Sequence, residues 1–428
     1  MSEFLPVRLR TLWFSFWALP LIYIVGAALL FLAMSAIDNA GASIWLGAQR
    51  WPLSVSGDTA LEAISSLVTI LVSLVALFFS ITLIVLTMAA SNLGVRLIDR
   101  WVGDISIRVT LSLLLGLLTY ALLLQAAIDP AGPDARLPRL SLLMLVGALL
   151  PSLAWLAKAF DHLSRRIHID TSIDDLVTDL EQNLAGLAAL SAPGRNEPDW
   201  QAGMTITSPR AGYVDGVDIK GLLDLAHDHD LLLHMPYAQG DYVHEGDVIL
   251  HVKGNPDRTD EKLLRKIDIS RWRSDDAGAM FQAALLAEIA ARALSPAVND
   301  IYTALDCIDH LGGGLGKAFA DQHSGGWFGG PGEGARLFVP DLTPRGVLRR
   351  PLDIIRQAAA PYPSASIRLI DMLGRLIGKA TNADDRDWLS GRVRLVARSA
   401  LQESPVEADR DDIRQALRNA LGQKPLNS

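Results

Sequence analysis

The chain has 428 residues, half of them hydrophobic and 20% charged, with a net charge of −8. Basic and acidic side chains balance over residues 1–157, so the whole net charge falls on residues 158–428. An acidic polar part excludes a nucleic-acid binder, which needs a basic stripe against phosphates. A lone cysteine, Cys307, excludes a disulfide scaffold and fits a reducing compartment.

A bilayer core of about 30 Å needs roughly 20 apolar residues. Four uncharged runs meet that length: Thr11 to Ile37, Ala63 to Val95, Val109 to Ile128 and Leu140 to Ala157. The first exceeds the apolar region of a signal peptide and reads as a retained span. Lys and Arg in short flanks set orientation. Arg8, Arg10, Arg96, Arg100, Arg108, Lys158, Arg165 and Arg166 lie on one side, against Arg50, Arg136 and Arg139 on the other. The expectation is a multi-pass protein of the bacterial inner membrane with both termini cytoplasmic.

The second run carries Glu62, Ser66, Thr69, Ser73, Ala76, Ser80, Thr87, Ala90 and Gly94, spaced by four and three and interrupted only by Leu83. That spacing keeps small and hydroxyl side chains on one helix face. Two uses stay open. The commoner one is close packing of helices in lipid. The other is the wall of a polar path between copies, with Glu62, Ser66, Thr69, Ser73, Ser80 and Thr87 lining it. No ionisable residue falls near the middle of a span, which speaks against an ion-coupled transporter.

Beyond the spans, 158–198 reads as a connector helix, with Phe160, Leu163, Ile167, Ile173, Leu176, Leu180, Leu184 and Leu187 on one face, and a linker over Ser191 to Pro198. Over 199–255 the period changes to two, giving short strands around a helix at Leu222 to Ala226. Gly240-Asp241-Tyr242-Val243-His244-Glu245-Gly246-Asp247 within it resembles the hammerhead half of biotinyl and lipoyl domains, which implies a small β-barrel. Lys220 and Lys253 lack the carrier-lysine motif, so no cofactor is expected. Five of the nine histidines fall in this module, at His227, His229, His234, His244 and His251, without a confident ligand spacing, so no metal is expected.

Residues 256–428 read as a helical domain. Gly312-Gly313-Gly314-Leu315-Gly316-Lys317 fails as a phosphate loop because Leu311 and Ala318 replace required residues, and with Gly325 to Gly334 it reads as a Gly-rich surface loop over 312–334. Ala293 to Asp300 joins two apolar helices. Arg271, Arg292, Ser295, Asn299 and Asp300 form a candidate ligand cluster there, or simply a capped junction. No nucleophile and base, paired carboxylates or metal pattern marks an enzyme.

Three segments together resemble one family of bacterial predicted membrane proteins, with domain of unknown function 2254. They are Phe79-Ser80-Ile81-Thr82-Leu83 with Ala90-Ser91 and Arg96, Gly212-Tyr213-Val214 through Gly240-Asp241-Tyr242-Val243, and Arg292-Ala293-Leu294-Ser295-Pro296 with Asn299-Asp300 and Thr303-Ala304. The resemblance implies architecture and no activity. The expected fold is a four-span membrane α-helical bundle over 1–157 with a cytoplasmic α+β domain, comprising the hammerhead-like barrel and a helical subdomain. The expected partners are the lipid bilayer and further copies of the chain, with an ion or small ligand of unknown kind. The expected function is an oligomeric channel for ions or small solutes gated by its cytoplasmic domain, with a membrane-anchored ligand sensor or scaffold as the alternative.

Overall fold

The computed structural model describes residues 17–42, 57–93, 104–128, 138–166, 169–195, 197–200, 203–254, 259–271, 278–321, 325–330 and 334–422. Arg8, Arg10, Arg96 and Arg100, which carry much of the orientation argument, and Gly94 lie outside them. The chain divides into two compact units, Met1–His168 and Ile169–Ser428.

Among its described residues the first unit has four helices long and apolar enough to cross a membrane: α1 (Ala18–Ile37), α2 (Gly57–Leu93), α3 (Ile105–Ala127) and α4 (Arg139–Arg166). The third is the hub, packing against each of the others. It starts at Asp104, whose carboxylate accepts a hydrogen bond from the Ser106 N–H at 2.7 Å. α2 packs on α3, and its Ala60, Ile64, Leu71, Phe78 and Val85 are each at most 5% exposed. Aromatic edges add contacts, Phe31 on Tyr120 at 5.8 Å and Phe78 on Phe160 at 6.3 Å.

The second unit begins with α5 (Ile169–Ala189). Its apolar stripe, Ile173, Leu176, Leu180 and Leu184, is buried. It packs against α8 (Gly278–Ala293) and α9 (Ile301–Ala320), so this part of the expected connector is a core helix. The expected linker is also structured. Ser191 bridges Phe328, and the Ala192 N–H donates to the Trp327 carbonyl at 3.0 Å.

The β-rich part contains β1 (Met204–Thr207), β2 (Gly212–Val217), α6 (Ile219–Asp228), β3 (Leu232–His234), β4 (Tyr242–Val243), β5 (Val248–Lys253), α7 (Asp260–Leu264) and β6 (Ile267–Ser270), followed after α9 by β7 (Trp327–Phe328) and β8 (Leu337–Phe338). Among the described residues the strands form two open sheets, ordered β1-β5-β3-β8-β7 and β4-β2-β6, and no closed barrel. The expected barrel is corrected because the free edge of β3 is taken by β8, in parallel. Residues 267–270, read as helical from sequence, are a strand. Ile267 and Ile269 are buried in alternation with Asp268 and Ser270, a period-two pattern of β-branched residues. Both sheets and α6 share one apolar core that includes Val214, Leu222, Leu233, Leu250 and Ile269. The turn glycines behave as the sequence implies: Gly240 and Gly246 have φ of 87° and 88°.

The expected Gly-rich loop is also corrected. Gly312 to Gly316 lie inside α9. A Cβ at Gly312 would collide with Met372 Cγ, and one at Gly314 would lie 3.2 Å from Leu180. These glycines are helical because they let α5 and α11 come close to α9, and that packing outweighs their poor propensity. The remaining helices are α10 (Pro344–Ala359), α11 (Pro363–Lys379), α12 (Ala383–Glu403) and α13 (Glu407–Ala420).

Candidate functional site

The small and hydroxyl stripe of α2 forms one face of the helix. Glu62, Ser66, Thr69, Ser73, Ser80 and Thr87 are all exposed in the single chain. The buried seam at Ile64, Leu71, Phe78 and Val85 and the stripe at Ser66, Ser73, Ser80 and Thr87 are offset by two residues, about 200° around a helix. One helix therefore carries two heptad seams on opposite sides. Its own bundle uses the apolar one, and the hydroxyl one points away.

Four of the stripe's hydroxyls are satisfied along their own helix. Thr69 donates to the Ser65 carbonyl at 3.0 Å, Ser73 to Thr69 at 2.8 Å, Ser80 to Ala76 at 2.8 Å and Thr87 to Leu83 at 2.8 Å. Each of these four oxygens still has a lone pair to offer, so the face stays polar with their donors satisfied.

Sequence reading missed the polar links inside the bundle. Asp38 follows α1 in a one-turn π-helix, Asp38–Ala42, and is 7% exposed. Its carboxylate accepts from the Leu140 N–H at 3.0 Å, the Ser141 N–H at 3.0 Å and the Ser141 hydroxyl at 2.7 Å. It thereby caps α4, where free N–H groups and the helix dipole favour an anion. The Tyr120 hydroxyl donates to the Ser141 carbonyl at 3.1 Å, bringing α3 into the same knot. Gln125 Nε2 donates to Ser65 Oγ at 3.1 Å, and Trp155 Nε1 to Thr110 Oγ1 at 3.1 Å. At the other end His162 Nε2 lies 3.1 Å from Asp104 Oδ2. The only local signal for these was a polar residue in or at the end of an apolar run, and their partners are 21 to 103 residues away.

In the second unit the cluster predicted around the α8–α9 junction is a capped turn. Asp300 accepts from the Thr303 N–H at 3.2 Å and the Thr303 hydroxyl at 2.6 Å. The Ser295 carbonyl accepts from the Asn299 N–H at 2.9 Å, and Asn299 takes φ of 50°, a left-handed conformation its short side chain tolerates. Arg292 lies 3.8 Å from Glu288 one turn earlier on α8. Arg271 is exposed at the end of β6. Val298 and Tyr302 project outward beside the turn, Tyr302 at 80% exposure.

The histidines separate into distinct environments. His227 lies in the last turn of α6 and His229 is its C-cap. His244 meets Tyr242 edge-on at 5.3 Å. His234 and His251 are cross-strand partners with stacked rings 5.3 Å apart. They belong to a row across the five-stranded sheet, Thr205, His251, His234, Phe338 and Trp327, in which each is paired with the next. Trp200 covers this row, 5.0 Å from His234 and 6.3 Å from Trp327. Burial, with the neighbouring His251 second, lowers the His234 pKa to about 4. Among the described residues no three His, Cys, Asp or Glu side chains gather as a metal site. Burial pushes the Cys307 thiol well above its ordinary range.

The chain is similar to proteins of known sequence. The chain is 24% identical over 358 residues to an uncharacterized protein of Mycobacterium bovis, covering 79% of this chain and 68% of that protein. An uncharacterized protein of Mycobacterium tuberculosis strain H37Rv matches with the same identity and coverage. No solved structure matches the chain. The model of the family described as predicted membrane protein (DUF2254) matches residues 13–375. With four helices of bilayer length and that match over most of its length, the chain belongs to the DUF2254 family of predicted membrane proteins.

Proposed function

We propose that the protein is an oligomeric inner-membrane channel for ions or small solutes rather than an enzyme, with the hydroxyl face of α2 lining the axis between copies. The observation that carries this reading is the orientation of that face: Ser66, Ser73, Ser80 and Thr87 point away from their own bundle while the opposite seam is buried. A polar face turned toward hydrocarbon gains nothing. Against copies of itself it either packs closely or encloses water. In this reading the N-terminus and the second unit are cytoplasmic, following the basic flanks. The net charge of −8 on residues 158–428 then draws cations toward the inner mouth. The sensor reading has less support, because Asp300 is engaged in capping a helix.

The test uses the buried, unreactive Cys307 as a quiet background. Full-length Ser73→Cys and Ser80→Cys, oxidised in native membranes, form disulfide-linked copies, whereas Phe79→Cys, about 100° round the helix from Ser80, does not. Absence of cross-links at both serine positions removes the oligomer. Reconstituted wild type conducts, and Ser73→Leu/Ser80→Leu conducts several-fold less. Unchanged conductance in a cross-linking protein reduces the stripe to a packing seam.

A further inference from the structure

Between α1, α3 and α4, within the first unit, lies a half-open cavity of about 310 Å³. Its floor is Gly116, Leu117 and Leu145, all buried, and its rim includes Ile22 and Met144, both exposed. The Gly116 backbone sits close to α1, where a Cβ would come within 3.4 Å of the Tyr23 carbonyl, so the floor is a tight helix contact. Beside it Gly26 leaves open space: a Cβ there would meet nothing within 4 Å. The cavity is a gap left where small residues line helices that are otherwise closely packed.

We infer that this cavity holds one hydrocarbon chain of a bilayer lipid. The lining contains no charged side chain. Two of its hydroxyls are already spent, Tyr120 on the Ser141 carbonyl and Ser152 on the Ala148 carbonyl at 2.7 Å. It therefore offers an occupant apolar contact and little else. Its position selects the source: Ile22 to Leu30 lie in the interior of α1, at the depth of lipid tails rather than headgroups. Size argues against a helix from a second copy. That stretch of α1 is about 12 Å long, and a helix about 10 Å across would need roughly 900 Å³ over the same length, about three times the space present. A single flexible chain fits the gap, and the volume is at the lower end of ordinary ligand pockets, about 300–1,000 Å³. An unfilled gap would forfeit dispersion contacts along its whole lining.

The experiment incorporates full-length protein into vesicles of phosphatidylethanolamine and phosphatidylglycerol doped with a phospholipid carrying a diazirine midway along one acyl chain. After irradiation, adducts are mapped by mass spectrometry. The expected result is labelling concentrated on Ile22 to Leu30 and Met144 to Ala148, several-fold above Val72 and Phe79, which are exposed on α2 about 100° from the hydroxyl stripe. Gly26→Leu directs a side chain into the open space and removes the cavity labelling while leaving that on α2 unchanged. Ala148→Leu does the same from the α4 wall, so the outcome does not depend on one variant folding. Labelling spread evenly over exposed apolar positions, labelling insensitive to both variants, or cross-links between α1 helices of two copies in place of lipid adducts would each overturn the inference.

Discussion

The two units put their polar side chains to partly different uses. In the second unit the core is apolar and many polar side chains finish helices: Asp218 caps α6, Thr343 caps α10 and Asn382 caps α12. In the membrane unit polar side chains tie one helix to another, Asp38 to the start of α4, Gln125 to Ser65 and Trp155 to Thr110. The difference follows from the solvent. In water, burying apolar area drives helices together and polar groups need only be satisfied. In lipid the apolar face is already solvated, so packing and a few hydrogen bonds must choose the partners.

Removing the Asp38 knot tests this contrast most severely. Asp38→Ala strands two N–H groups and a hydroxyl at the start of α4, and the expected loss is about 2–4 kcal/mol of bundle stability in a detergent-unfolding titration. A loss below about 1 kcal/mol would mean that helix packing alone holds the spans, since single polar pairs in lipid are worth that little. The second unit is broken through shape instead. Gly312→Ala drives a methyl group into the buried Met372 and costs about 1–3 kcal/mol by thermal unfolding. Gly316→Ala meets the mobile end of Lys379 and is near neutral, which separates overpacking from any general effect of glycine.

The stacked histidines sharpen the comparison with pH. His234 has a pKa of about 4 in the folded chain against 6.5 for the free side chain, so between those values the unfolded state binds the extra proton. Stability is fully present above pH 6.5 and declines as pH falls toward 4. The expected loss is about 1–2 kcal/mol, reduced from the full shift because the ring is partly exposed. Hydrogen exchange of β3 and β5 amides reads it, and His234→Phe flattens the profile. A smaller loss is expected of Gln125→Leu, which removes one hydrogen bond between spans and costs about 0.6 kcal/mol in the detergent titration.

Where the sequence was legible, the signal was local. Four apolar runs became four bilayer-length helices, the heptad of α2 is a real face, and Gly240 and Gly246 sit at their turns. Which way that face points was not legible, because the spacing of Ser66, Ser73 and Ser80 is the same whether the stripe is buried or exposed. Gly312 to Gly316 misled because composition argues for a loop, while the decisive fact is the Met372 and Leu180 side chains packed over them. The Asp38 cap was hidden for a similar reason. A cap is recognised by its neighbours in sequence, and this one serves a helix 102 residues away.

The pairing of β3 with β8 has a consequence for how the chain is made. Synthesis delivers β3 well before β8, with all of α8 and α9 between them. Until Phe338 has emerged, Leu233 and His234 present an open strand edge, the form of backbone most prone to pairing with another chain. The sheet cannot close stepwise behind the ribosome, and contacts this distant in sequence form slowly. A chain truncated anywhere between His251 and Phe338 would thus leave an adhesive edge exposed, so the second unit matures as a whole, after its last strand arrives.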